Sequence, residues 1–161
     1  MLSTPTSTRT ILAGQVLGRL AIALLQALII VLGSLLAFGV AWGDPLGTAA
    51  VILSFALVGT GAAVLLGSLC GDEQQAGPVA LLLGLGLAAL GGSMAPLEVF
   101  PDTARKLAHI TPHAGANDAF SKLLRDGGDL GSVVPQVAVL LGLAAVAPAL
   151  ATWRLRRAIT S

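Results

Sequence analysis

The chain has 161 residues, 55% hydrophobic and 11% charged, with a mean hydropathy of +0.90 and a net charge of +1. An average soluble domain carries roughly 25% charged residues, so this chain lacks the polar surface to coat a water-facing globule. Intrinsic disorder and an ordinary soluble enzyme are poor fits. A lone cysteine, Cys70, excludes an internal disulfide framework, and the near-neutral balance gives no footing for nucleic-acid binding.

All nine basic and all eight acidic residues fall outside four uncharged runs, Leu20–Gly43, Pro45–Gly71, Gln74–Leu97 and Leu130–Trp153. About 20 apolar residues cross a bilayer core as a helix, so each run is a candidate span. The expected fold is an all-α polytopic transmembrane helix bundle, one domain over 1–161. Its spans are placed at about 16–42, 46–70, 76–95 and 133–153.

The first span is closed by the turn signal Gly43-Asp44-Pro45, and the second by the short polar stretch Gly71-Asp72-Glu73-Gln74-Gln75. The third holds Pro78 and several glycines, tolerated where neighbouring helices re-satisfy the backbone. Segment 98–129 is the one sizeable polar connection. It reads as two short helices, either re-entrant or lying at the interface. Pro101 and Asp102 suit the start of the first, which stops before Thr111-Pro112. Ala116, Ala119, Phe120, Leu123 and Leu124 lie on one face of the second, with Asp118 and Lys122 an i, i+4 pair and Gly127-Gly128 its stop. The last span carries Pro135 in its first turn and Pro148 near its end.

Four spans leave both termini on one side. Arg9, Arg19, Arg154, Arg156 and Arg157 fall there, against Arg105, Lys106, Lys122 and Arg125 on the other. The arginine cluster directly after Trp153 makes that side cytoplasmic. Trp42 and Trp153 then belong at opposite membrane faces, and the expected location is the plasma membrane.

No catalytic constellation is present in the sequence. There is no P-loop, no H-E-x-x-H and no G-x-S-x-G, so the chain is read as a non-enzyme without cofactor. His109 and His113 have a spacing that suits a metal only on one continuous helix, and Pro112 between them breaks it; no metal is expected. Gln26 is the notable intramembrane polar residue. An unpaired amide in hydrocarbon is costly, so it is expected to face another helix as glue. Gly14/Gly18 and Gly67/Gly71 fit a close-packing G-x-x-x-G pattern, and no buried charge marks an ion-coupled pump.

The stretch from Gly91 through Pro96-Leu97-Glu98 to Pro101, followed by Thr111-Pro112-His113, resembles the membrane subunits of type-2 ATP-binding cassette (ABC) exporters. In that family a G-x-x-x-P-L-E-x-x-P segment ends the fifth span and leads into a re-entrant hairpin with T-P-H. The sixth span then ends in an Arg-rich stretch. Ser3-Thr4-Pro5 followed by Ile11–Gln15 similarly resembles the passage from a coupling helix into the third span. The resemblance makes this chain the C-terminal four-span portion of a six-span permease. Ala114-Gly115-Ala116 stands where members often carry an aromatic residue, and the loop at Gly71–Gln75 lacks a basic residue often found there.

What the resemblance implies is a permease subunit that forms a pathway for cargo moved by a separate ATPase on the cytoplasmic side. It implies a homo- or hetero-dimer with another permease, in contact with membrane lipid. Pro96, Leu97, Glu98, Pro101, Thr111, Pro112 and His113 would shape the external hairpin, with Glu98 capping or orienting it. The smooth, uncharged interior would favour amphipathic or lipid-like cargo. The rival readings are a small four-span structural or regulatory protein and a non-functional permease fragment. An intramembrane enzyme would need clustered reactive side chains that the spans do not offer.

Overall fold

The computed structural model describes residues 8–70 and 72–160, and the described residues form helices joined by short turns. They are α1 (Thr8–Phe38), α2 (Pro45–Leu69), α3 (Glu73–Leu90), α4 (Asp102–Ala108), α5 (Pro112–Arg125) and α6 (Leu130–Thr160). A single 3-10 turn, Leu97–Val99, precedes α4. The expected all-α bundle with a helical hairpin before the last long helix is what the chain forms. Segments α1, α2 and α6 contain stretches long and apolar enough to cross a membrane, at Ala13–Phe38, Pro45–Leu69 and Leu130–Trp153; Gln74–Leu90 is a shorter apolar helix.

Local chemistry sets the helix ends. The side chain of Asp44 accepts a hydrogen bond from the Gly47 amide at 2.7 Å, and Pro45 occupies the first turn of α2. Asp72 caps α3 through the Gln74 amide in the same way. Helix α1 stops at Phe38 rather than running to Trp42, because Gly39 turns left-handed and Trp42 folds back to donate its indole N–H to Ser34 Oγ at 2.9 Å. Helix α3 likewise stops at Leu90, short of the expected Ala95. Gly91 and Gly92 begin a turn there, with the Ser93 amide bonded back to Ala88.

The core is the seam between α2 and α6, where Val51 and Val58 meet Val133 and Leu140. The two helices run parallel. Gly47 lies beside the amide of Leu130, and Gly61 lies beside Ala144 and Pro148. Pro135 falls in the second turn of α6 rather than the first, since that helix starts at Leu130. Helix α5 runs the opposite way, over the shared end of this pair. Leu123, 1% exposed, sits at Gly43 and Gly47, while His113 packs its ring against Phe55. From Gly47 to Phe55 is a descent of about 12 Å along α2 at 1.5 Å per residue. The hairpin of α4 and α5 therefore packs alongside the N-terminal half of α2.

Close approach explains Gly43. Its φ is +70°, and a Cβ there would collide with the carbonyl oxygen of Leu123. The glycines expected to form packing stripes behave differently. Gly14, Gly18 and Gly67 meet no neighbouring atoms, and Gly71 lies outside the described residues. The segment Ser3-Thr4-Pro5 and the side chains of Arg154, Arg156 and Arg157 lie outside them too. Helix α1 rests mainly on α2, and no residue of its apolar stretch is buried. Exposures such as 83% for Leu36 and 75% for Leu82 suit hydrocarbon surroundings rather than water.

Candidate functional site

Three neighbouring features converge where α5 meets α2: the hairpin apex, a polar chamber behind it, and an apolar groove along α1.

The apex is built by Thr111-Pro112-His113. Thr111 is buried and caps α5: its Oγ1 accepts from the Ala114 amide at 3.3 Å and donates to the Ala108 carbonyl at 2.7 Å. Pro112 follows in the first helical turn, where its missing N–H costs nothing. The His113 ring stands edge-on to Phe55 with centroids 5.0 Å apart. Its Nδ1 is buried with no partner among the described residues, and burial pushes its pKa down, favouring the neutral ring. The end of α3 closes on the same point. A Cβ on Gly91 would stand 2.5 Å from Thr111 Oγ1 and 2.5 Å from His113 Cβ. Asn117 secures this junction by donating to the Gly91 carbonyl at 2.9 Å and to Ser93 Oγ at 3.2 Å.

His109 and His113 lie on different elements with different partners. His109 is the C-cap of α4. Its Nδ1 is 2.7 Å from the Arg105 carbonyl and its Nε2 is 2.9 Å from Asp118 Oδ2. Both ring nitrogens face oxygen acceptors, so the imidazolium satisfies both. The carbonyl of Arg105 first, and Asp118 further, raise its pKa above 6.5 against the opposing effect of desolvation. This corrects the expected Asp118–Lys122 pair: Asp118 is turned to His109, and Lys122 donates to the Ser132 carbonyl at 3.3 Å.

The P-L-E segment divides by environment. Leu97 is buried with Ala108 and Ala114, which joins the 3-10 turn to the hairpin. Pro96 and Glu98 border a polar chamber of about 350 Å³, with Asn117, Asp118, Ser121 and Arg125 opposite. Glu98 does not cap the following helix. Pro101 occupies that N-cap position, no side chain caps the start of α4, and Asp102 supplies the acidic group of its first turn. Asp102 also forms an exposed ion pair with Arg105 at 2.9 Å.

The third feature is a groove of about 640 Å³ between α1 and α2, with Trp42 and Phe120 at one end. Gln26 lines it, facing α2 across the groove without a hydrogen-bond partner among the described residues. The reason is that α1 stands off the bundle, touching α2 along a narrow seam. The indole of Trp42 meets the Phe120 ring edge-on at 5.7 Å, and Phe120 borders the chamber as well as the groove. Arg19, Trp42, Phe55, Phe120 and Asn117 were not singled out as site residues by the sequence. Arg19 carried a usable signal, since seven residues before Gln26 is the same helix face. The others come together through tertiary contact alone. Among the described residues no group of three His, Cys, Asp or Glu side chains could hold a metal ion. What these features can do chemically is bind and admit a molecule.

The family model described as ABC-2 family transporter protein matches residues 1–153. No curated protein matches the chain. No solved structure matches it either.

Proposed function

The chain belongs to the ABC-2 transporter family, and from that premise we propose that it is a permease subunit of an ABC exporter, forming the membrane path for cargo moved by a separate ATPase subunit. It is a multi-pass membrane protein, as the family and its three long apolar helices require. The observation that carries the reading is the T-P-H hairpin, inserted between the end of α3 and the start of α6 and held there by Thr111, Asn117 and Leu123. A wedge of this kind closes one end of a bundle while leaving a chamber behind it.

In this reading the protein lies in the plasma membrane with both termini cytoplasmic, and α3 serves as the third of four spans despite its shorter length. Residues Pro96 to His113 shape the external exit: Pro96 and Glu98 border it, while Leu97, Pro101, Thr111, Pro112 and His113 fix its frame. The ATPase binds the cytoplasmic side and supplies all ATP hydrolysis, and the subunit pairs with another permease to complete the path. The parallel α2 and α6 give a mechanical link from that side to the hairpin.

The test is co-purification of the tagged full-length chain with a co-expressed ABC ATPase from its own source, followed by vesicle ATPase assays. A stoichiometric complex whose ATPase activity rises in membranes is the expected result. A chain that recruits no ATPase and whose deletion leaves export of every tested amphipath unchanged would overturn the proposal in favour of a structural or regulatory role.

A further inference from the structure

We infer that the groove between α1 and α2 is a binding site for an elongated amphipathic organic anion, its acid group on Arg19, a polar group partway along it on Gln26, and a flat apolar end against Trp42, Phe55 and Phe120. This rests on the transport reading above and names the class of cargo that path would take.

Four observations support it. Arg19 and Gln26 are seven residues apart on α1, on one face and about 10 Å apart along the axis. Neither has a hydrogen-bond or ion-pair partner among the described residues, and both line this groove. A second groove of about 600 Å³ runs on the other side of the α1–α2 seam, lined by Leu24, Leu28 and Leu35, and it contains no charge and no amide. Polar groups therefore distinguish one of two otherwise similar surfaces. Lastly, the three aromatic side chains gather at the end of the groove remote from Arg19, where Phe120 also opens on the chamber.

Depth decides between an ordinary phospholipid and another amphipath. The apolar stretch Ala13–Phe38 has 26 residues, about 39 Å of helix against a hydrocarbon core of about 30 Å. Counted from Phe38, that core ends close to Arg19. The guanidinium thus sits at the boundary, where it takes a phosphate, sulfonate or carboxylate bidentately. Gln26 lies about 10 Å deeper, where an acyl chain offers its amide nothing and an unmet amide is costly. A molecule with an acid end, a hydrogen-bonding group beyond it and an aromatic terminus satisfies all three places at once.

The experiment uses the full chain in phosphatidylcholine nanodiscs with Trp153→Phe, leaving Trp42 as the single tryptophan. The probe is dansylaminoundecanoic acid, which has a carboxylate at one end and a dansyl ring and sulfonamide at the other. Energy transfer from Trp42 to dansyl is expected to saturate. Arg19→Gln should weaken the apparent affinity about tenfold, as loss of a charge-assisted contact requires. Gln26→Leu should weaken it a few-fold, and the methyl ester of the probe should bind wild type no better than the acid binds Arg19→Gln. Transfer that rises linearly and equally in wild type and Arg19→Gln means partitioning into lipid, and overturns the site. So does full competition by phosphatidylglycerol, which would make the groove an annular lipid contact. Binding of the probe by a chain that recruits no ATPase would leave the site standing and remove the transport reading; the reverse pattern would remove the site alone.

Discussion

Replacing Gly43 by alanine tests whether the hairpin is seated on the end of α2 as described. Two costs are separable. At φ +70° a side chain meets its own backbone, a penalty of about 1–2 kcal/mol. The new methyl group also meets the carbonyl of Leu123. Since α5 is held by Asn117 and by burial of Ala116, Ala119 and Leu123, it cannot simply withdraw, and overpacking of this kind costs about 1–3 kcal/mol. The sum is roughly 2–5 kcal/mol. Gly39→Ala supplies the control, because Gly39 has nearly the same φ, +65°, and meets nothing within 4 Å. It should lose only the conformational part. Equilibrium unfolding in mixed micelles with increasing dodecyl sulfate gives both values. Equal destabilisation by the two substitutions would mean that Leu123 does not press on Gly43, and the seating of the hairpin would be wrong.

Three further outcomes are expected. Thr111→Val removes the cap of α5 while keeping its shape and should cost about 0.5–2 kcal/mol, read as faster amide exchange in the first turn of α5 with α2 unaffected. Asn117→Leu leaves the Gly91 carbonyl without its donor at the α3 junction; a loss of about 1–3 kcal/mol should appear as exchange spreading into 91–97. The His109–Asp118 contact carries a pH signature. The folded pKa lies above 6.5, so the stabilisation is complete below that value and is lost as pH rises through the folded pKa. Amide protection of the α4–α5 turn should therefore be greater at pH 5.5 than at pH 8.5, and the difference should shrink in Asp118→Asn, where the Arg105 carbonyl alone still favours the charged ring.

How much of this was readable in advance follows the range of the interactions. Asp44, Thr111-Pro112 and Gly127 act within a few residues of themselves, so the start of α2, the break between α4 and α5 and the stop of α5 were legible from turn chemistry, whereas α3 was expected from 76 and begins at Glu73, where Asp72 caps it. The face formed by Ala116, Ala119 and Leu123 was legible for the same reason, as periodicity reports burial. The end of α1 was not, because Trp42 returns to Ser34 within an unbroken apolar run where composition does not change. Asp118 has two cations in reach, Lys122 by spacing and His109 by tertiary fold, and only the hairpin geometry decides between them. Gln26 was expected against a helix since hydrocarbon penalises a free amide. That argument was sound about the cost but silent on which way α1 leans. The P-L-E and T-P-H segments were found by resemblance, and their division into a buried Leu97 and an exposed Glu98 came from the coordinates.

The parallel course of α2 and α6 has a consequence for force. Antiparallel neighbours joined by a tight turn can scissor about that turn, whereas these two enter from one end with no direct link and share an interlocked stripe from Gly47 to Pro148. They behave as a single double-thickness strut. The Leu123 seat lies at the leading end of that strut, and α1 and α3 are fastened to it more lightly.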